Sequence, residues 1–281
     1  MGLTSSTLIT ALILTKNEEP NLKRVLEKLT WLEKVIILDS YSTDSTIEIA
    51  NSFPNVVLYQ RKFDTFASQC NYGLTLITSP WVLSLDADYV LTDEFIAETN
   101  EFINREDKNA YFVRFKFLVF GRKLAGDNTT PRAVLFKPSE CNYYDDGHCH
   151  RLMINGATGN FKSYILHDDR KSLSRWLNNQ DGYAIKERDK LLNPEVGIHL
   201  SLSSKIRKTK VFAPFIVFFH CLIVKRLIFN GWAGWHYTLQ RTMVEMLLAI
   251  RLIEDEKLAE KPQPEPTLAI NQNDLKSHLA K

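Results

Sequence analysis

The sequence predicts an α/β protein with a mainly parallel, Rossmann-like central sheet, and three observations carry that reading. Short β-rich apolar runs, Leu8 to Leu14 and Val35 to Leu38, stop abruptly at polar residues, and Asn21 to Leu32 between them has helical apolar spacing. The alternation then repeats: Ser45 to Phe53 predicts a helix, Val56 to Tyr59 a strand, Phe66 to Thr75 a helix and Trp81 to Leu85 a buried strand. Such alternation argues for parallel strands with helices on both faces. Finally, the residues that end the runs are Thr15-Lys16-Asn17-Glu18, Asp39-Ser40 and Asp86-Ala87-Asp88. Open α/β sheets take up ligands beyond the carboxyl ends of their strands, so these three groups point to one crevice. Each alone is also the composition of an ordinary helix cap; their joint occurrence favours a site.

Further along, Phe95 to Ile103 predicts a helix, Ala110 to Phe120 a strand pair or one long strand, and Gly121 to Asn128 a turn. Arg132 to Phe136, Arg151 to Ile154 and Phe161 to Leu166 predict strands, the last running into His167-Asp168-Asp169, and Lys171 to Leu192 a long helix. The last third changes character. A basic stretch, Ser201 to Lys210, leads into the apolar run Val211 to Val224, which Lys225-Arg226 close. That run of 14 residues is shorter than the ~20 a spanning helix needs. With Trp232, Trp235 and Tyr237 nearby it predicts an interfacial element on an anionic membrane; a helix pair packed on the first domain is the alternative. The expected organisation is a domain over 1–195, a helical membrane-associated region over 196–253 and a flexible tail over 254–281.

Bulk properties exclude several classes. With 281 residues, 44% hydrophobic and 24% charged, the chain is globular in composition. A formal net charge of +2 gives no global field that would draw it onto nucleic acid, so none is expected as a partner. Four scattered cysteines without a C-x-x-C pair predict no disulfide framework. Met-Gly-Leu-Thr-Ser-Ser-Thr at the N-terminus lacks the features of a secretory signal, which predicts the cytoplasm.

Asp86 and Asp88, two carboxylates at i and i+2 just after an apolar strand, can share a divalent cation and leave positions for phosphate oxygens. Such an ion stabilises charge on a departing diphosphate.

The segments Leu14-Thr15-Lys16-Asn17-Glu18-Glu19, Leu38 to Asp44 and Leu85 to Asp88 resemble, in order and approximate spacing, the signatures of family 2 glycosyltransferases of the GT-A fold. His167 to Lys171, Arg175-Trp176 and Gln180 to Tyr183 resemble the branch that includes lipopolysaccharide-core glucosyltransferases. The resemblance covers approximately residues 8 to 195, and more faintly the turn Gly231 to Gly234. It implies an inverting transfer from a nucleotide-diphosphate sugar, a UDP-sugar first of all, to a lipid-linked or cell-envelope glycan, with Mn²⁺ or Mg²⁺, at the inner face of the cytoplasmic membrane. Residue by residue, it implies that Thr15, Asn17 and Glu18 line the nucleoside pocket, that Asp39 bonds the base and that Asp44 supports that loop. Asn71 is implied near the diphosphate, Asp86 near ribose and metal, Asp88 as principal ligand and His167 as a further one, a mixed set that Mn²⁺ accepts.

An inverting transfer also needs a general base. Asp145 and Asp146, in Tyr144-Asp145-Asp146-Gly147-His148, are the candidates, with Asp146 preferred because Gly147 lets the chain turn sharply. Where relatives carry His-Glu, this chain has His150-Arg151. Arg132, Arg151, Arg170 and Lys171 are candidates for steadying phosphate or acceptor charge. Cys141, His148, Cys149 and His150 do not have the separations of a tetrahedral zinc site. A non-catalytic nucleotide-sugar module on the same fold is the alternative to an enzyme; a dinucleotide oxidoreductase is disfavoured because no G-x-G-x-x-G follows the first strand.

Overall fold

Ile9 to Thr15 form strand β1, which is apolar on both faces and so demands a cover on each side. The computed structural model describes residues 5–105, 107–125, 130–146, 149–193 and 201–259. A one-turn helix α1 (Ser5–Leu8) precedes β1. Then come α2 (Leu22–Glu27), β2 (Lys34–Asp39), α3 (Thr46–Asn51), β3 (Val56–Gln60), α4 (Phe66–Thr75) and β4 (Trp81–Asp86). The helix expected over 21–32 is a short one, ending at Glu27. The second half contributes β5 (Tyr89–Leu91), α5 (Asp93–Phe102), β6 (Ala110–Val119), β7 (Arg122–Lys123), β8 (Arg132–Phe136), β9 (Cys141–Asp146), β10 (Cys149–Ile154) and β11 (Thr158–His167). The sequence reading did not anticipate β5 or β9.

The strand order is β3-β2-β1-β4-β8-β6-β11-β5, with β7 folded back on β6 and β9-β10 a separate hairpin. The first four strands are parallel, as is β11 to β6; β8 runs antiparallel between β4 and β6, and β5 antiparallel at the edge. The sheet is therefore parallel from β3 to β4 and mixed beyond it. Only Ala87 and Asp88 separate β4 from β5, which lie four places apart in the order. A flat sheet would put those strands about 19 Å apart, whereas three residue steps reach about 10 Å. The sheet must curl, and the curl brings the Asp86–Asp88 link over the strand ends.

One face is packed by α2 and α5 through Leu22, Leu26, Phe95 and Phe102. The other is packed by α4 and β9 through Leu12, Val82, Cys70 and Tyr143.

The C-terminal third is α6 (Leu173–Leu192), α7 (Leu202–Lys208), α8 (Phe212–Phe219), a π-turn at His220–Val224, a 3₁₀ turn at Leu227–Asn230, and α9 (Gly231–Ala259). The faint Gly231 to Gly234 turn is the start of a long helix, and that helix continues past Glu254, where a loose tail was expected; residues 260–281 lie outside the described ones. The expected boundary at 195/196 also lies outside them. Helix α6 packs on α9 through Leu191, Leu248 and Leu252. Arg207 of α7 joins them, with Nη1 2.8 Å from Glu187 and Nη2 3.2 Å from Glu245, both acids buried. No single described helix is long and apolar enough to cross a membrane; Phe212–Val224 and Leu227–Leu258 meet that test only together, bent by 70°.

Candidate active site

Strands β1, β2 and β4 end side by side, with Thr15 opposite Asp39 and Leu14 opposite Asp86. The polar residues that stop the apolar runs therefore surface on one edge. Hydrogen bonds knit the first two loops together. Asp39 is fully buried: Oδ1 accepts from Thr15 Oγ1 at 2.8 Å and from Ser42 Oγ, and Oδ2 from Ser42 N at 2.8 Å. Asn17 adopts a left-handed backbone (φ 56°), which Asn tolerates better than most residues, and its Oδ1 accepts from Thr43 N at 2.7 Å. Asp44 accepts from Thr46 N at 3.1 Å and from Glu19 N at 3.3 Å. Thr15, Asn17, Asp39 and Asp44 thus brace one another. Tyr41, bulky and exposed, also has a positive φ of 61°, a strained conformation of the kind that clusters at functional loops.

Beside that mesh lies a partly buried group of charges. Lys171 Nζ is 3.0 Å from Glu18 Oε1, 3.2 Å from Asp169 Oδ1 and 3.9 Å from Asp88 Oδ2. Burial lowers the Lys171 pKa, but Asp88, Glu18 and Asp169 outweigh it and hold the ammonium above its ordinary value. Burial pushes the Glu18 carboxyl up, against the pull of Lys171. Asp88 meets His167, Nε2 to Oδ2, at 3.2 Å. Burial would raise the Asp88 carboxyl, yet His167 and Lys171 hold it down at about 2. The same pairing raises His167, against the lowering effect of burial.

The segment after β11 is strapped over the strand ends. Asp168 N donates to Asp88 O at 3.0 Å, Arg24 Nη2 to Asp168 O at 2.8 Å, and Asn21 Nδ2 to Asp169 Oδ1 at 3.0 Å. Arg175 Nη2 reaches Lys16 O at 2.6 Å, 159 residues away. Asn21, Arg24 and the three-acid setting of Lys171 were not read from the sequence, because contacts across such separations leave no periodic or spacing signal.

The structure brings Thr15, Asn17, Glu18, Asp39, Asp44, Asp88 and His167 to this edge. Asp86 is exposed, with Arg132 Nη1 at 4.0 Å from its Oδ2, an exposed pair worth little by itself. Asn71 is engaged at both ends of its amide: Nδ2 donates to Tyr143 O at 2.9 Å and Oδ1 accepts from Tyr143 N at 2.8 Å. It docks the β9-β10 hairpin beside the crevice. Asp145 Oδ1 accepts from Ala67 N at 3.1 Å and so is tied to α4. The backbone of Asp146 pairs with Cys149 at the end of the hairpin where β9 leads into β10; its side chain, like Gly147 and His148, lies outside the described part. So do the side chains of Cys149 and His150 of the rejected zinc reading.

Three buried side-chain atoms at this edge lack a hydrogen-bond partner among the described residues: Asp88 Oδ1, Asp168 Oδ1 and Arg24 Nε. Asp88 Oδ1 is buried and accepts no hydrogen bond among the described residues, a cost a carboxylate bears only where something else meets it. No three His, Cys, Asp or Glu side chains converge on one point among the described residues. Asp88 and His167 therefore offer a partial ligand set that leaves room for ligand oxygens, which suits a cation shared with a diphosphate.

Acidic strand ends gathered at the carboxyl edge of a parallel half-sheet mark an α/β protein with a polar crevice where such sheets take up ligands. Residues 10–163, more than half the chain, match Glycosyl transferase family 2. The chain belongs to that family. It is 30% identical over 132 residues to an uncharacterized glycosyltransferase of Rickettsia bellii, covering 46% of this chain and 42% of that one. It is 26% identical over 122 residues to the lipopolysaccharide core biosynthesis glycosyltransferase LpsC of Rhizobium meliloti, covering 39% and 45%. The chain spans less than half the length of these curated relatives. Among solved structures, the mannosyltransferase PcManGT of Pyrobaculum calidifontis, in complex with GDP-Man and Mn²⁺, is similar at 14% identity and a TM-score of 0.49, over 89% of this chain and 88% of that one.

Proposed function

We propose that this transferase moves a sugar, with inversion, from a nucleotide-diphosphate donor, a UDP-sugar first of all, to a lipid-linked or cell-envelope glycan. The observation that carries the reading is the unpartnered Asp88 Oδ1 at the carboxyl edge of the sheet. Mn²⁺ or Mg²⁺ would be held by Asp88, with His167 and Asp86 as its neighbours, and would supply Lewis-acid stabilisation of the leaving diphosphate.

The chain's own residues do the rest. The mesh of Thr15, Asn17, Asp39 and Asp44 presents a rigid floor to the nucleoside, with Glu18 beside it. Arg132, exposed next to Asp86, has the reach and charge for phosphate oxygens. Lys171 sets a cation among Glu18, Asp88 and Asp169, so that the crevice holds a fixed positive charge before the donor arrives. Asn71 holds the hairpin that carries Asp145 and Asp146 against α4, and Asp146 takes the proton of the acceptor hydroxyl on the face away from the diphosphate.

The name of the LpsC relative and the apolar surface of the C-terminal helices support an acceptor of the envelope class, met at the cytoplasmic face of the membrane. The two functional units are the transferase domain over 1–195 and the membrane-facing region over 196–253.

The test is transfer and donor hydrolysis with UDP-sugars, with and without Mn²⁺, in the protein and in Asp88→Ala. Loss of activity by about 100-fold or more is expected, since an ion at a leaving group contributes several kcal/mol. Full activity of Asp88→Ala in the presence of chelator sinks the metal mechanism. Pelleting of the intact protein with membranes tests the location.

A further inference from the structure

The β6-β7 hairpin turns through Phe120 and Gly121, with Val119 paired to Arg122. Both turn residues have positive φ, 46° and 79°, the signature of a type I′ turn, where Asn and Gly are at home and a bulky side chain is strained. Phe120 gains little from the chain in return: it is 73% exposed. A strained, exposed aromatic at a hairpin tip needs a reason outside the fold.

Its neighbours supply one. The Phe120 ring lies 6.2 Å from Trp232 and 5.4 Å from His236 at the start of α9. Asn230 Oδ1 accepts from Ala125 N at 3.0 Å, which pins the hairpin to the 3₁₀ turn. On that turn Phe229 is 83% exposed, and Ile223, Val224 and Trp232 are exposed on either side of it. The underside of the same elements is a packed core of Val119, Leu124, Cys221, Leu227 and Ala233. Hence the apolar tips come from two separate parts of the chain, held on one rigid base.

Among the described residues of these two turns the charges have one sign. Arg122, Lys123 and Arg226 are exposed, and Lys225 lies next to them. The sequence carries no acidic residue from Lys108 to Gly126 or from Lys208 to Val244. Exposed aromatics within a basic rim suit an anionic lipid surface, where rings enter the headgroup boundary and cations meet lipid phosphates.

We infer that Phe120 and the turn around Phe229 together form a wedge that enters an anionic bilayer and fixes the height of the active site above it. This deepens the membrane reading proposed above and rests on it. Phe117 is paired with His167 and lies three residues before Phe120 on β6. At about 3.3 Å per residue, the His167–Asp88 pair stands about 10 Å behind the wedge tip. The acceptor is therefore a membrane lipid whose reacting sugar sits at headgroup level, not a glycan that extends far from the surface.

The test is flotation of the full chain with vesicles of phosphatidylcholine, alone or in equal mixture with phosphatidylglycerol. The variants are Phe120→Asn with Phe229→Ser, and Arg122→Gln with Arg226→Gln. Asn suits the turn, so the first variant should melt no lower through position 120 and should bind a UDP-sugar as the parent does. The parent is expected to float with the anionic vesicles, and each double variant to partition about tenfold or more weakly. If the parent floats and the aromatic double variant floats equally well, the wedge is wrong while membrane attachment stands. If the parent binds neither vesicle, the membrane reading falls and the wedge with it. If the parent is instead a dimer that the aromatic variant converts to monomer, the surface belongs to a second copy of the chain, and the wedge is again overturned.

Discussion

His167 Nε2 stands 3.2 Å from Asp88 Oδ2, although the two residues are 79 apart in the chain. They meet because β11 and β5 are paired, with His167 opposite Tyr89, and because Asp168 N closes on Asp88 O. In the metal-free protein the pair is an ion pair, with His167 raised and Asp88 depressed. The His167 share of stability is fully present below the ordinary His pKa of about 6.5 and is lost as pH rises through the raised folded value. The Asp88 share is present above about 4 and is lost as pH falls towards its folded value of about 2. With chelator present, the melting temperature should therefore peak between about pH 4 and pH 6.5 and decline on the alkaline side. His167→Gln should abolish that alkaline decline; an identical decline in the variant would show that other groups cause it.

Asn71→Ala removes both hydrogen bonds that hold the backbone of Tyr143. The cost is roughly 1–3 kcal/mol, concentrated on the β9-β10 hairpin. Limited proteolysis should cut that hairpin faster than in the parent. A purely donor-binding role for Asn71 would instead raise KM for the nucleotide sugar and leave the cleavage rate unchanged.

At Gly234 a Cβ would fall 1.9 Å from Leu227 O, a backbone atom that cannot step aside cheaply. Gly234→Ala must separate α9 from the 3₁₀ turn, at about 1–3 kcal/mol or more. The melting temperature should drop by several degrees, and vesicle binding should weaken with it, since the wedge is built on that turn. A melting curve equal to the parent's would show that the approach is looser than described.

Arg207 is the shared counter-ion of two buried acids, Glu187 and Glu245. Arg207→Ala leaves both without it and should cost about 3–5 kcal/mol, read from the denaturant midpoint. Replacing all three together, Arg207→Met with Glu187→Leu and Glu245→Leu, should recover most of the loss. If the triple variant is no better than the single one, packing and not charge holds α6, α7 and α9 together.

Much of the transferase half was legible because its elements are local. Helix α4 and strand β8 fall where the apolar spacing puts them, and β1, β2 and β4 differ from expectation only at their ends. The strand β9 was missed because Cys-Asn-Tyr-Tyr-Asp-Asp is half polar; it becomes a strand by pairing with β10 and docking on Asn71. Among the site residues, the sequence named the acids at the strand ends, with His167 and Lys171, but not which of them pair. That Lys171 sits among Glu18, Asp88 and Asp169, and that Arg175 reaches Lys16 O, is decided only when the sheet brings those segments together.

What the sequence alone determined is the alternation of elements, the polar stops of β1, β2 and β4, and the apolar run from Val211 to Val224. These are properties of neighbours in the chain, set by periodicity and composition. The tertiary structure decided the rest: the curl that carries Asp88 to His167, the burial that leaves Asp88 Oδ1 without a hydrogen bond, and the joining of Phe120 to Phe229 on one surface. Those depend on which distant segments share a boundary, and only the packed sheet with its helices fixes that.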